Sequence, residues 1–145
     1  MSTHQSYFQL QDLVDQPPEP GCYPGCIERA RFRQSANRNR MLQVIFTLDG
    51  VQPAFQTVCD YFVLEGEQVS ASGIFFARRR LVELYRACGI FPAEGDEIIP
   101  AQLIHAHLQL RVAHEQWEGK LKLRVVGYRP MPAPDPVPEP QQIPF

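Results

Sequence analysis

Hydrophobic and polar residues alternate along the middle of the chain, and this pattern predicts five β-strands with one buried face each. The predicted strands span residues 26–33, 40–48, 57–64, 104–112 and 120–128. In the first, Ile27 is expected to share a face with three arginines. In the fourth, the residues expected to share the apolar face are Ile104, Ala106, Leu108, Leu110 and Val112.

Between the third and fourth strands the period changes to that of a helix. Apolar or partly apolar residues recur there at i, i+3, i+4 and i+7, which is the stripe of an amphipathic helix: Leu81, Leu84, Tyr85 and Cys88. We expect Ser72 to cap the start of this helix and Gly89 to end it, since serine favours N-caps and glycine favours the residue after the C-cap.

The element order is therefore β-β-β-α-β-β, which predicts a mainly β protein with one helix. Five strands with a helix between the third and fourth are typical of the OB fold, a small five-stranded barrel. A meander with a helix packed on one face would give the same order. We expect the barrel, because closure removes the exposed strand edges that an open sheet must protect.

The two ends of the chain differ from its middle. Residues 1–20 are polar and end in a proline-rich stretch, so we expect an N-terminal arm. Residues 21–130 carry nearly all the periodic hydrophobicity and form the predicted domain, as a 145-residue chain has room for one. Proline occupies every second position from 130 to 140, so residues 131–145 are expected to form a disordered, extended tail.

Charge is segregated along the chain. The net charge is −2, yet all 14 lysines and arginines lie between Arg29 and Arg129. Residues 21–130 hold 11 of the 16 acidic residues and are therefore mildly basic at +3, whereas both flanks are acidic. A basic body with acidic ends is typical of nucleic-acid-binding proteins.

Several basic and aromatic residues fall on the outward faces of the predicted strands. Cations two positions apart repeat about every 6.6 Å, which suits the phosphates of an extended single strand, and exposed aromatic rings can stack on bases. The residues predicted to contact a single strand of nucleic acid are Arg29, Arg31, Arg33, Tyr61, Arg111, Trp117, Lys122 and Arg124. The alternative is that they are only the solvated faces of amphipathic strands. The Arg78–Arg80 run is expected to be such a solvated surface, with Arg79 pairing Glu83.

The motifs of catalysis are missing from the sequence, so we expect a protein that is not an enzyme and needs no metal or cofactor. The four cysteines include no Cys-x-x-Cys pair, and no export signal or apolar run of about 18 residues is visible. We therefore expect free thiols, a cytoplasmic location and no membrane partner.

The C-terminal residues carry a family resemblance. A Pro-rich segment that ends in Ile143-Pro144-Phe145 resembles the tail of bacterial single-stranded DNA-binding proteins, the SSB family. The body is similar to a divergent branch of such proteins from phages and mobile elements, through Gly21-Cys-Tyr23, the stretch from Arg80-Leu81 to Gly89, and Val125-Val-Gly-Tyr128. Where the family usually carries aspartates before the tip, this chain has Gln141 and Gln142.

The resemblance implies an OB-fold domain that binds single-stranded DNA without sequence preference and a tail that recruits other proteins. Ile143, Pro144 and Phe145 would dock on enzymes of DNA replication, recombination and repair, and self-association into a homo-oligomer would be in keeping with the family. A rival of a different class is a β-barrel adaptor that binds no DNA and uses its proline-rich tail for protein contacts. A small hydrolase or metal enzyme is the third hypothesis.

Overall fold

The computed structural model describes residues 17–67 and 69–132 of the chain. As the sequence predicts, it is mainly β with one helix between the third and fourth strands. The elements are β1 Gly21–Gln34, β2 Arg40–Leu48, β3 Thr57–Glu65, α1 Ala71–Ala87, β4 His107–Trp117 and β5 Lys120–Arg129. Most of the predicted N-terminal arm and all but the first two residues of the predicted tail lie outside the described residues.

The five strands form one antiparallel sheet in the order β3-β2-β1-β4-β5. The expected closed barrel is not formed, because no backbone ladder joins the two edge strands, β3 and β5, within residues 17–67 and 69–132. These edges nevertheless approach each other, and α1 packs against both. We call this gap, spanned by side chains and covered by α1, the seam.

The core lies between the inward face of the sheet and α1. β2 is the clearest case of the predicted alternation, since Leu42, Val44, Phe46 and Leu48 are fully buried. The helix adds Leu84, also fully buried. Burying side chains of this size stabilises the fold by about 1.5–3 kcal/mol each, so this face of β2 anchors the sheet.

The prediction for the faces of β1 is wrong at Ile27. A β-bulge shifts the register between Ile27 and Arg29, so Glu28 is an extra residue without a partner across the ladder. Such a residue reverses the alternation, and Ile27 therefore faces the core together with Ala30 (0% and 8% exposed). The arginines that follow lie on the opposite, outward face.

Both ends of α1 are capped, and one of the two predicted caps is wrong. The N-cap is Ser70 rather than Ser72, because the Ser70 hydroxyl accepts the backbone N–H of Gly73 at 3.1 Å. At the other end Gly89 has a φ of +80°, which glycine adopts without strain. The Ile90 N–H reaches the Tyr85 carbonyl at 2.9 Å, and this completes the Schellman motif that the predicted helix end requires.

β4 begins later than predicted, because residues 103–105 form a turn directly after the short 3-10 helix Pro100–Gln102. His105 has a left-handed φ of 72°, which a strand does not tolerate. The turn still hydrogen-bonds to β1, through His105 N–H to the Ile27 carbonyl at 2.8 Å and Ile27 N–H to the Ala106 carbonyl at 3.0 Å. The bulge and this turn therefore meet.

Candidate nucleic-acid interface

The outward face of β1, β2 and β3 brings four of the predicted contact residues together. Residues directly opposite each other in antiparallel strands point to the same side of the sheet. One row contains Arg31, Gln43 and Tyr61; the rows on either side contain Arg29 and Arg33. We call this surface, made of Arg29, Arg31, Arg33, Gln43 and Tyr61, the three-strand face.

Gln43 organises the three-strand face. Its side-chain oxygen accepts hydrogen bonds from Arg31 Nε at 3.1 Å and from an Arg33 guanidinium nitrogen at 3.2 Å. Its side-chain nitrogen donates to the Tyr61 hydroxyl at 3.0 Å. Gln43 is only 5% exposed, so a buried amide holds two exposed guanidinium groups beside an aromatic ring. Sequence reasoning missed this residue.

The Tyr61 ring can still bind a flat ligand. The residue is 47% exposed, and its hydroxyl is fixed by Gln43. An aromatic ring with one open side can stack on a base, while the neighbouring arginines supply positive charge for phosphates. The arrangement can therefore bind an anionic, aromatic polymer.

A second predicted group lies on the β4–β5 hairpin. Trp117 is 57% exposed at the hairpin tip, and Lys122 Nζ lies 6.0 Å from the centre of its ring. Arg124 opposes Ala113, and Lys122 opposes Glu115, so both cations share the outward side of the hairpin with Trp117. We call Trp117, Lys120, Lys122 and Arg124 the hairpin group.

The eight predicted contact residues do not form one cluster. Arg31 and Arg33 lie near the C-terminal end of β1, whereas Arg111 opposes Cys22 near the other end of β1. The hairpin group lies further still, since residues 113–124 extend past the pairing of Gly21 with Val112. The structure thus brings together four residues on the three-strand face and three on the hairpin, with Arg111 beside the end of α1.

The seam contains a polar cluster that the sequence did not reveal. Asp60 of β3 accepts hydrogen bonds from Arg80 of α1 and from the Tyr128 hydroxyl of β5, and the Arg80–Asp60 contact is an ion pair. Burial, and then the nearby Asp60 carboxylate, raise the pKa of Tyr128 well above its usual value. The guanidinium of Arg80 also lies 5.0 Å from the centre of the Phe62 ring. Arg80 is therefore a structural residue, and within the described part of the chain Arg79 forms no ion pair with Glu83.

Other chemistry is sparse in the described residues. They contain no group of three or more His, Cys, Asp or Glu side chains that could hold a metal ion. The four cysteines are free, and burial raises the pKa of Cys88 to about 11. No helix in residues 17–67 and 69–132 is long and apolar enough to cross a membrane.

Comparison of the sequence with models of known protein families and with curated proteins gave no match.

Proposed function

We propose that this protein binds single-stranded DNA without sequence preference, acts as a binding protein rather than an enzyme, and uses the three-strand face as its main contact surface. The observation that carries the proposal is the hydrogen-bonded row of Arg31, Gln43 and Tyr61, with Arg33 attached to the same amide. The strand order and the central helix suit an OB-type sheet, whose outer face is a common surface for oligonucleotides.

The chemistry of the face fits a flexible strand better than a duplex. Guanidinium groups bind phosphates as planar, forked donors, and the Tyr61 ring can stack only on a base that is not already stacked inside a helix. Because every base has a π-face, such stacking does not select a sequence. Fixing the arginines through Gln43 reduces the ordering cost of binding.

The decisive experiment is a titration of a fluorescently labelled oligothymidine with the full chain, repeated at several salt concentrations. The wild type should bind the single strand more tightly than a duplex of equal length, and its affinity should fall steeply with salt through counterion release.

The Arg31→Ala/Arg33→Ala variant should bind about tenfold more weakly and lose about 1.4 from the slope of log K against log salt. The matched control is Arg78→Ala/Arg79→Ala, which removes two exposed arginines from α1 and should change affinity far less. Absence of binding by the wild type at about 50 mM salt, or equal losses in both variants, would contradict the proposal.

The C-terminal tip is proposed as the partner-recruiting element, on the strength of its resemblance alone. Residues 143–145 lie outside the described residues. A chain that ends at residue 130 should keep its DNA affinity and lose binding to DNA-processing enzymes, whereas removal of Phe145 alone should already weaken that binding. An adaptor would instead show no DNA affinity with or without its tail.

A further inference from the structure

A separate cavity lies where α1 ends and the outward side of β4 and β5 begins. Its volume is about 670 Å³, within the range of small-molecule sites. The charged and aromatic residues that line it are Glu83, Arg86, Phe91, Arg111, Tyr128 and Arg129. We call it the helix-end pocket. It shares no residue with the three-strand face.

Positive charge dominates the helix-end pocket. The guanidinium groups of Arg86, Arg111 and Arg129 make no ion pair or side-chain hydrogen bond with any other residue in 17–67 and 69–132. The negative charges of the pocket are the Glu83 carboxylate and the C-terminal end of α1, which carries about half a negative charge. The balance is about +1.5, so the pocket favours an anion.

The pocket also offers an aromatic surface and open space. Phe91 is 75% exposed, the most of any large hydrophobic residue in the described part of the chain. Gly127 opposes Arg111 in the ladder, and a Cβ there would lie 3.6 Å from the Arg111 Cβ. The missing side chain leaves Arg111 uncovered on the cavity side. Three unpaired guanidinium groups beside a bare ring suit a phosphate attached to a flat base.

We propose that the helix-end pocket binds one nucleotide of a single strand, with its phosphate among Arg86, Arg111 and Arg129 and its base against Phe91. This inference rests on the proposed function and adds a second contact region to it. The outward side of β4 and β5 continues from Arg111 past Arg124 and Lys122 to Trp117, a distance of about 20 Å at the rise of a strand. The pocket and the hairpin group therefore form one track for a strand.

The first test measures affinity. The Arg86→Ala/Arg129→Ala variant of the full chain should bind a long oligothymidine about tenfold more weakly than the wild type and with a smaller salt slope. The Arg78→Ala/Arg79→Ala variant is the matched control, because it also removes two positive charges, at positions of α1 that do not line the pocket. Equal losses in the two variants would show a general charge effect and overturn the inference.

The second test locates the strand. An oligonucleotide carrying 5-iododeoxyuridine should form a photo-crosslink to Phe91 that mass spectrometry maps, and unlabelled oligonucleotide should suppress it. Inorganic phosphate, added at the same concentration of phosphate groups, should not suppress the crosslink. Suppression by phosphate to the same extent would indicate a free-anion site and overturn the inference, as would absence of the crosslink.

The two proposals fail in different ways. If the wild type binds no single strand at all, the proposed function fails. If it binds, depends on Arg31 and Arg33, and gives neither the Phe91 crosslink nor a specific loss in the Arg86→Ala/Arg129→Ala variant, only the pocket is wrong.

Discussion

The seam and the three-strand face are each built around one nearly buried polar residue that links neighbouring elements, yet they leave their arginines in opposite situations. In the seam, Asp60 (side chain 14% exposed) uses Arg80 and Tyr128 as partners to connect β3, α1 and β5. On the three-strand face, Gln43 holds Arg31 and Arg33 with the rest of each guanidinium group open to solvent. The first arrangement neutralises its arginine within the protein, and the second leaves the charges of its two arginines exposed to solvent.

The comparison shows that the partner decides what an arginine does. The Asp60 carboxylate neutralises the guanidinium charge of Arg80, so Arg80 retains little net positive charge to attract a phosphate. A neutral amide fixes the geometry of Arg31 and leaves its charge intact. A count of charges along the sequence does not distinguish Arg80 from Arg31, whereas their hydrogen-bond partners in the structure do.

The largest effect is expected in the seam. Asp60→Ala removes the ion pair with Arg80, the acceptor for Tyr128 and the bond from the Tyr61 N–H. Arg80 is 41% exposed, so solvent screens the ion pair, but the buried Tyr128 hydroxyl loses its acceptor, and the free energy of unfolding should fall by about 2 kcal/mol. Urea denaturation measures this. Glu97→Ala, which removes an exposed carboxylate, should change stability by less than about 0.5 kcal/mol; similar losses in both would disprove the special role of Asp60.

The seam should also weaken at alkaline pH. The usual pKa of tyrosine is 10.0, and that of Tyr128 is raised in the folded chain. The contribution of Tyr128 to the free energy of unfolding is therefore complete below pH 10. It is lost as the pH rises above 10, because this tyrosine ionises in the unfolded chain before it ionises in the folded chain. The loss should reach about 1.4 kcal/mol at pH 11. Tyr128→Phe should reduce the slope of unfolding free energy against pH between 10 and 11, and an unchanged slope would count against the raised pKa.

On the three-strand face, Gln43→Ala separates geometry from charge. Arg31 and Arg33 remain but lose their shared acceptor, so affinity for oligothymidine should fall by about 1 kcal/mol, or about fivefold. The slope of log K against log salt should stay that of the wild type, since no charge has been removed. A slope reduced as in Arg31→Ala/Arg33→Ala would mean that Gln43 does not act by holding the arginines in place.

The smallest effect should come from Tyr61→Phe, which keeps the ring and removes only the hydroxyl that accepts from Gln43. Affinity should fall by about 0.5 kcal/mol, roughly twofold. Tyr61→Ala removes the stacking surface and should cost about 1–3 kcal/mol. If both variants bind equally well, the ring does not contact a base.

The sequence predicts the elements well because periodicity is a local property. The bounds of β2 and the glycine end of α1 follow directly from alternation, helical spacing and the conformational freedom of Gly89. The bulge at Glu28 and the turn at His105 escaped prediction, since each depends on a contact between segments far apart in the chain. The sequence did not predict the open seam for the same reason, since the seam depends on how β3 and β5 meet.

The candidate site was predictable only in part. Alternation placed Arg29, Arg31 and Arg33 on one side, but it could not show that Arg111 lies near the other end of β1. Gln43 carried a usable signal, because it is a polar residue between the buried Leu42 and Val44 and opposes Arg31 once the hairpin register is drawn. Arg86, Phe91 and Arg129 meet only through the packing of α1, which no spacing rule supplies.

The unpaired residue Glu28 has a consequence for how the length of β1 can vary. Ile27 and Arg29 pair with Phe46 and Ile45, which are adjacent in β2. Deleting Glu28 would therefore give a regular ladder in which Ile27 and Ala30 keep the core side and the three arginines keep the outward side. Related chains can lack this one residue and still present the same arginines, whereas a single deletion within residues 29–33, where the ladder has no spare residue, would turn the side chains on one side of it to the opposite face.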